Sequence, residues 1–167
     1  MTLRPLPHVG WTASRHGLSP IQQAVARIVL TDLRDRRGAT TLHHGDCVGG
    51  DAVGVLAALK LRYRIVGHPP VETKLRAYLP THEDRAALHY LARDQQIVNE
   101  SSILLGWPNT EEEIARSGTW ATIRMARRAG LPRLVITPSG RVFESHGVEG
   151  LWTTLTAGSD DGGKESA

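Results

Sequence analysis

The stretch Thr41-Leu42-His43-His44-Gly45-Asp46-Cys47-Val48-Gly49-Gly50-Asp51-Ala52 decides how this chain reads. A short strand-like run enters a glycine-rich turn, and the turn feeds a helix expected from about Gly50 to Leu61. Gly45, Gly49 and Gly50 allow positive φ and a close approach of ligand to backbone. The N–H groups and positive dipole end at the start of such a helix favour an anion such as a phosphate. The loop has no G-x-G-x-x-G, and no Lys-Ser/Thr follows its glycines, so it is neither a dinucleotide fingerprint nor a Walker A loop. A purely steric tight turn would use the same glycines.

Working outward, the pattern alternates strand and helix. Pro7 to Ser14 reads as a buried strand, and Ser19-Pro20 as a helix start with serine at the N-cap and proline at the first helical position. Ile21, Val25, Ile28, Val29 and Leu33 follow at helical spacing, and Gly38 closes that helix. Beyond the glycine loop, Tyr63 to His68 is a third strand stopped by Pro69-Pro70, and an irregular polar loop runs to about Asp84. A helix is expected from Arg85 to Asn99 and a fourth strand over Ser102 to Trp107. An acidic insert, Asn109 to Ala115, precedes the turn Arg116-Ser117-Gly118-Thr119-Trp120 and a helix to Ala129, which Gly130 and Pro132 stop. Arg133 to Thr137 is a fifth strand, and Gly140 can turn a hairpin into an edge strand at Arg141-Val142-Phe143. Leu151-Trp152 is expected to cap the sheet, and the Gly/Ser/Asp-rich residues 158–167 to form a disordered tail after one domain over 1–157.

The expected fold class is therefore α/β: a Rossmann-like three-layer sandwich with a mainly parallel sheet of five or more strands and helices on both faces. Ligands of such sheets bind outside the carboxyl ends of the strands. Three polar turns, Thr12 to Gly17, Gly45 to Asp51 and Arg116 to Trp120, follow strands and precede helices, so all three should meet on one rim.

Composition narrows the classes. A chain of 167 residues suits a domain that needs no staples, and its one cysteine, Cys47, excludes a disulfide framework. A reducing, cytoplasmic setting fits, and no apolar run signals a leader or membrane anchor. The net charge of +3 permits nucleic acid or a phosphorylated small molecule without demanding either.

The ordered set of motifs resembles the SLOG superfamily, which groups LOG-type phosphoribohydrolases, the DNA-processing protein DprA and many sensor domains. The resemblance rests on Gly10-Trp11-Thr12-Ala13-Ser14-Arg15, the HHGDCVGGDA loop, the HPP end of the third strand, Leu91-Ala92-Arg93-Asp94, and the SGTW turn. It implies a Rossmann-like fold that holds a nucleotide or an ADP-ribose-like ligand at the rim, with a sensor as one role. LOG-type enzymes carry a PGGxGT turn and a glutamate three residues beyond the threonine. Here the first positions are Arg116-Ser117 and the glutamate position is Thr122, so Asp46 or Asp51 would have to serve an N-glycosidase. Hydrolysis of nucleoside 5′-monophosphates is the alternative function, and DprA-like single-stranded DNA binding a third, disfavoured by few aromatics.

The candidate ligand-binding residues are Ser14, Arg15, Gly45, Asp46, Gly49, Gly50, Asp51, His68, Arg93, Ser117, Gly118 and Thr119. Ser117 to Thr119 would form the phosphate end, or a plain N-cap. Arg15 and Arg93 would clamp an anion, or lie on the surface. Asp46 is the choice for a ribose hydroxyl or proton transfer, whereas a first-turn carboxylate such as Asp51 is stabilising on its own. Neighbouring strand residues His43 and His44 face opposite ways, which argues against a metal shared with Asp46, and no cofactor is expected. Cys47 reads as a nucleophile without a helper base, or as a small buried residue. Trp120 would stack on a base or pack on the sheet. A homodimer is expected, with Trp107, Trp120 and Trp152 as apolar surface.

Overall fold

The computed structural model describes residues 3–149. Its elements run β1 (His8–Ala13), α1 (Pro20–Arg37), β2 (Thr41–His44), α2 (Gly50–Lys60), β3 (Arg64–Gly67), β4 (Glu83–Asp84), α3 (Tyr90–Glu100), β5 (Ile103–Trp107), α4 (Gly118–Arg128), β6 (Arg133–Ile136) and β7 (Val142–Glu144). They form a seven-stranded sheet in the order β4-β3-β2-β1-β5-β6-β7. Strands β1 to β6 are parallel, and β7 is the antiparallel edge that the Gly140 hairpin predicts. The α/β Rossmann-like architecture is thus the expected one.

Local chemistry sets the boundaries. Ser19 and Gln22 form a reciprocal capping box at the start of α1, and Gly38 ends the helix at φ 67°, left-handed backbone that glycine adopts at little cost. At that end Arg37 donates to three carbonyls, Arg4 at 2.9 Å, Gly147 at 2.9 Å and Glu149 at 3.1 Å. Two differences from the sequence reading lie between β3 and α3. Glu83–Asp84, expected in a loop, pair in parallel with Val66 and Gly67. The helix expected from Arg85 starts at Tyr90, because the Arg85 and Leu88 N–H groups are committed to the Gly67 and Pro69 carbonyls. The expected cap at Leu151-Trp152 and the tail lie outside the described residues.

Period-2 patterning gives each sheet face its own core. Trp11, Leu42, Ile65, Leu105 and Trp107 pack under α1 and α2 with Leu30, Leu33 and Val55. Leu104 and Val135 pack under α3 and α4 with Ile97, Trp120 and Ile123. Trp107 and Trp120 are core residues, 0% and 5% exposed, so they supply no surface for self-association, and Trp152 is outside the described residues. No helix among the described residues is long and apolar enough to cross a membrane.

The chain leaves β1 toward β2 and returns to the other side of β1 with β5. That reversal of direction lies between β1 and β5, where a crevice opens at the carboxyl ends of a parallel sheet.

Candidate functional site

A cleft of about 680 Å³ occupies this position, within the range of small-molecule sites. One wall is the end of β1 and the turn after it, Trp11 to His16. The opposite wall is the start of α4 with Asn109, Thr110 and Arg116. Tyr90, Arg93, Asp94 and Ile97 of α3, with Gly45, Cys47 and Asp51, form the rest.

Among the expected site residues, Ser14, Arg15, Gly45, Asp51, Arg93, Ser117, Gly118 and Thr119 line this cleft, whereas Asp46, Gly49, Gly50 and His68 do not. The glycine loop is a packing joint. The Gly50 N–H donates to the Ser14 carbonyl at 2.9 Å, so the opening N–H of α2 is occupied by the chain itself. A Cβ at Gly49 would strike the Arg15 backbone, and one at Gly50 would strike Leu18 and Ala13. The glycines therefore admit the neighbouring turn rather than a ligand.

Asp46 is also spent inside the protein. It sits at φ 55° and is 1% exposed. Its carboxylate accepts from Arg76 Nε at 2.7 Å and from the Leu79 N–H at 2.8 Å, which pins the long segment between β3 and β4. It is a clamp for that segment and does not reach the cleft. His68, fully buried, turns its ring to Gln96 and His43. As expected, His43 and His44 diverge: His44 Nδ1 accepts from the Asp46 N–H at 3.0 Å, while His43 contacts His68.

Arg93 reaches the cleft floor but is 5% exposed. It donates to the Gly45 carbonyl, to Asp94 Oδ1 at 2.6 Å and to the His68 carbonyl at 3.4 Å. Sequence reasoning weighed a clamp against a surface residue; it is a buried cation holding the glycine loop. Its neighbour Asp94, not a sequence candidate, lies beside Thr122, the position without a glutamate. Burial pushes the Asp94 carboxyl up, against the pull of Arg93.

Asp51 accepts from the Cys47 N–H at 3.1 Å and is 4% exposed. Burial pushes its carboxyl up to about 7, with the Cys47 N–H and Arg93 holding it down in part. Burial likewise raises the Cys47 thiol, which favours an un-ionised small residue over a nucleophile. Trp120 packs in the core and donates from its indole to Thr110 Oγ1 at 2.9 Å, so it is not a stacking surface.

The start of α4 is the open end of the cleft. Ser117 caps it through its hydroxyl, which accepts from the Trp120 N–H at 3.3 Å. Nothing lies within 4 Å of where a Gly118 Cβ would stand. Thr119 is 6% exposed, yet its hydroxyl has no partner among the described residues. Arg15 and Arg116 are exposed and unpaired among the described residues, and both line the cleft. Arg116 was missed in the sequence, although a cation immediately before an N-cap was a legible signal.

Neither a protein-family model nor a curated protein sequence matches the chain. Solved structures do. The molybdenum cofactor binding protein of the phototrophic bacterium Rippkaea orientalis superposes with a TM-score of 0.60 at 18% identity, over 82% of this chain and 78% of that one. DNA processing protein A of Streptococcus pneumoniae gives 0.58 at 17% identity, over 91% of this chain and 56% of that one. The molybdenum cofactor carrier protein of Chlamydomonas reinhardtii gives 0.56 at 17% identity, over 93% and 86%. The chain shares the fold of these proteins.

Proposed function

We propose that the cleft binds a nucleotide or nucleotide-derived ligand, with a phosphate on the first turn of α4. One observation carries this reading: the Thr119 hydroxyl stands at an open helix N-terminus on the cleft wall beside Gly118, with no partner among the described residues. A cleft-facing hydroxyl free of protein partners is available to hydrogen-bond a ligand oxygen. The helix dipole and the unpaired Arg15 and Arg116 add attraction for an anion. Two structural neighbours are named for holding a molybdenum cofactor, which agrees with small-molecule binding in this fold. Single-stranded DNA, the ligand named for a DNA processing protein A from Helicobacter pylori, ranks lower for this chain. Of the cleft's tryptophan and tyrosine, Trp11 is 1% exposed and Tyr90 has the Arg93 guanidinium 5.4 Å from its ring centroid, so the cleft lacks the series of open aromatic faces that successive bases stack on.

Calorimetry with AMP, ADP-ribose and adenosine tests the reading. Phosphate-bearing ligands should bind and adenosine should not. Thr119→Val should weaken binding by roughly 0.5–1.5 kcal/mol, the worth of one hydrogen bond. Equal affinity for adenosine and AMP, or no binding by any of the three, would refute it.

A second reading, hydrolysis of the bound nucleotide, is favoured by Asp51, a cleft carboxyl that keeps its proton to about pH 7. That is the range for a general acid. Release of free base from AMP, abolished in Asp51→Asn, is its signature.

A further inference from the structure

Off the cleft, three imidazoles run edge to edge across adjacent strands. His8 belongs to β1 and His43 to β2, and His68 directly follows β3. His8 Nδ1 stands 3.0 Å from His43 Nε2, and His43 Nδ1 stands 3.0 Å from His68 Nε2. His68 Nδ1 contacts Gln96 Oε1 at 2.8 Å. Glu100, at the end of α3, brings a carboxylate oxygen 3.7 Å from His68 Nδ1. One ligating atom from each of His43, His68 and Glu100 lies within 4.8 Å of the others, the one such convergence among the described residues.

We propose that His43, His68 and Glu100 bind a first-row divalent transition cation, with His8 and Gln96 as the outer partners that orient the two rings.

The spacing suits it. With metal–nitrogen bonds of about 2.1 Å, two cis ligands of a six-coordinate cation stand about 3.0 Å apart. The hydrogen bond between the rings has the same separation but aims the two nitrogens at each other, so a cation enters beside the N···N line with a tilt of both rings that leaves the strands in place. Glu100, whose carboxylate oxygen stands 3.7 Å from His68 Nδ1, must swing toward the Nε2 side of that ring to reach a bond of about 2.0–2.2 Å. It is partly exposed at a helix end, where such a movement is open to it.

Proton placement also favours the site. In the empty chain Gln96 Oε1 accepts from His68 Nδ1–H, so His68 Nε2 accepts from His43 Nδ1–H, and His43 Nε2 accepts from His8 Nδ1–H. A cation between His43 and His68 requires a bare His43 Nδ1. That proton leaves to solvent, His43 Nε2 takes the His8 Nδ1 proton, and exposed His8 regains one at Nε2. Every ring stays neutral and no net proton is released. Each ligating ring then donates its second N–H to a fixed acceptor, His68 to Gln96 and His43 to His8, the outer-sphere arrangement that orients metal-bound histidines. Glu100 brings a negative charge, while its ion-pair partner Arg85 keeps Glu83 as a second partner. Two imidazoles and one carboxylate suit zinc, cobalt or nickel better than magnesium or calcium.

The test uses the full chain stripped with a chelator. Titration with Co²⁺ should develop visible d–d absorption that saturates at one equivalent per chain, Zn²⁺ should displace it, and Mg²⁺ should do neither. His43→Gln and His68→Gln should abolish the signal. Because those buried changes can prevent folding, Glu100→Gln and His8→Asn are made as well, with melting curves that verify the fold. Both should bind Co²⁺ more weakly, His8→Asn by roughly 10–100-fold as an outer partner. Calorimetry of Zn²⁺ binding in two buffers of different ionisation enthalpy should give the same heat. No saturable absorption at millimolar Co²⁺, or an affinity unchanged in both Glu100→Gln and His8→Asn, would overturn the proposal and assign any binding to surface histidines.

Discussion

Asp51→Asn should make the protein more stable, and increasingly so as pH rises. The carboxyl is 4% exposed and burial lifts it from an ordinary value of 3.8 to about 7. Between those pH values the folded chain keeps a proton that the unfolded chain has released. Stability from this group is therefore complete below about pH 4, falls as pH rises through about 7, and is flat above. A shift of that size corresponds to roughly 4 kcal/mol. Asparagine keeps an oxygen to accept the Cys47 N–H and cannot ionise, so at pH 8 it recovers most of that cost. The expected gain is roughly 2–4 kcal/mol at pH 8 and close to zero at pH 4. Urea unfolding of both proteins at pH 4, 6 and 8 and constant ionic strength measures it. Taking the difference between the two proteins cancels groups they share, such as His44, whose pKa burial lowers to about 4. A difference that does not change with pH, or an asparagine variant less stable at pH 8, would refute the reasoning. A cleft residue that costs folding stability is also where use on a ligand is to be sought.

Gly118→Val places a side chain in open space at the mouth of the cleft, so it should block AMP binding in calorimetry while the melting temperature stays within a few degrees of wild type. Arg93→Met should instead act on the fold, losing roughly 3–5 kcal/mol in urea unfolding because Asp94 and the Gly45 carbonyl are left without their cation. Arg76→Met should release the segment between β3 and β4, read as faster hydrogen exchange at the Ala77 and Leu79 amides that now bond to Asp46. Ser19→Ala removes half of the capping box and should cost about 0.5–2 kcal/mol with no effect on ligand affinity.

Much of the fold is legible because it is written locally. Apolar periodicity, the Ser19-Pro20 start, the Gly38 stop and the Gly140 hairpin each act within a few residues of themselves. The alternation of strands and helices then places the three turns on one rim. What stayed illegible depends on partners distant in sequence. Nothing near Asp46 indicates that Arg76 and Leu79, some thirty residues on, will occupy its carboxylate. Gly49 and Gly50 look like a ligand cradle until the turn at Ser14 and Arg15 is seen filling the space. Arg93 reads as an anion clamp or a surface cation until the Gly45 carbonyl appears beside it. The start of α3 was misplaced because residues 85–88 extend along the end of β3, a pairing invisible to helical periodicity. At the start of α4 the features are local again: a capping serine, a glycine, a hydroxyl and a preceding arginine.

The guanidinium of Arg37 has a consequence for how the molecule comes apart and how it can be tethered. It fastens the backbone near residue 4 to the backbone at residues 147 and 149, more than a hundred positions away. One side chain thus closes a very long loop, and the entropy regained on opening such a loop grows only with the logarithm of its length. Fraying at one end withdraws support from the other, so the two ends should lose protection together. The clasp stands at the last turn of α1, beside the amino ends of the strands, whereas the cleft opens at their carboxyl ends. A surface, a dye or another folded unit attached near either side of the clasp would face away from the cleft and leave it accessible.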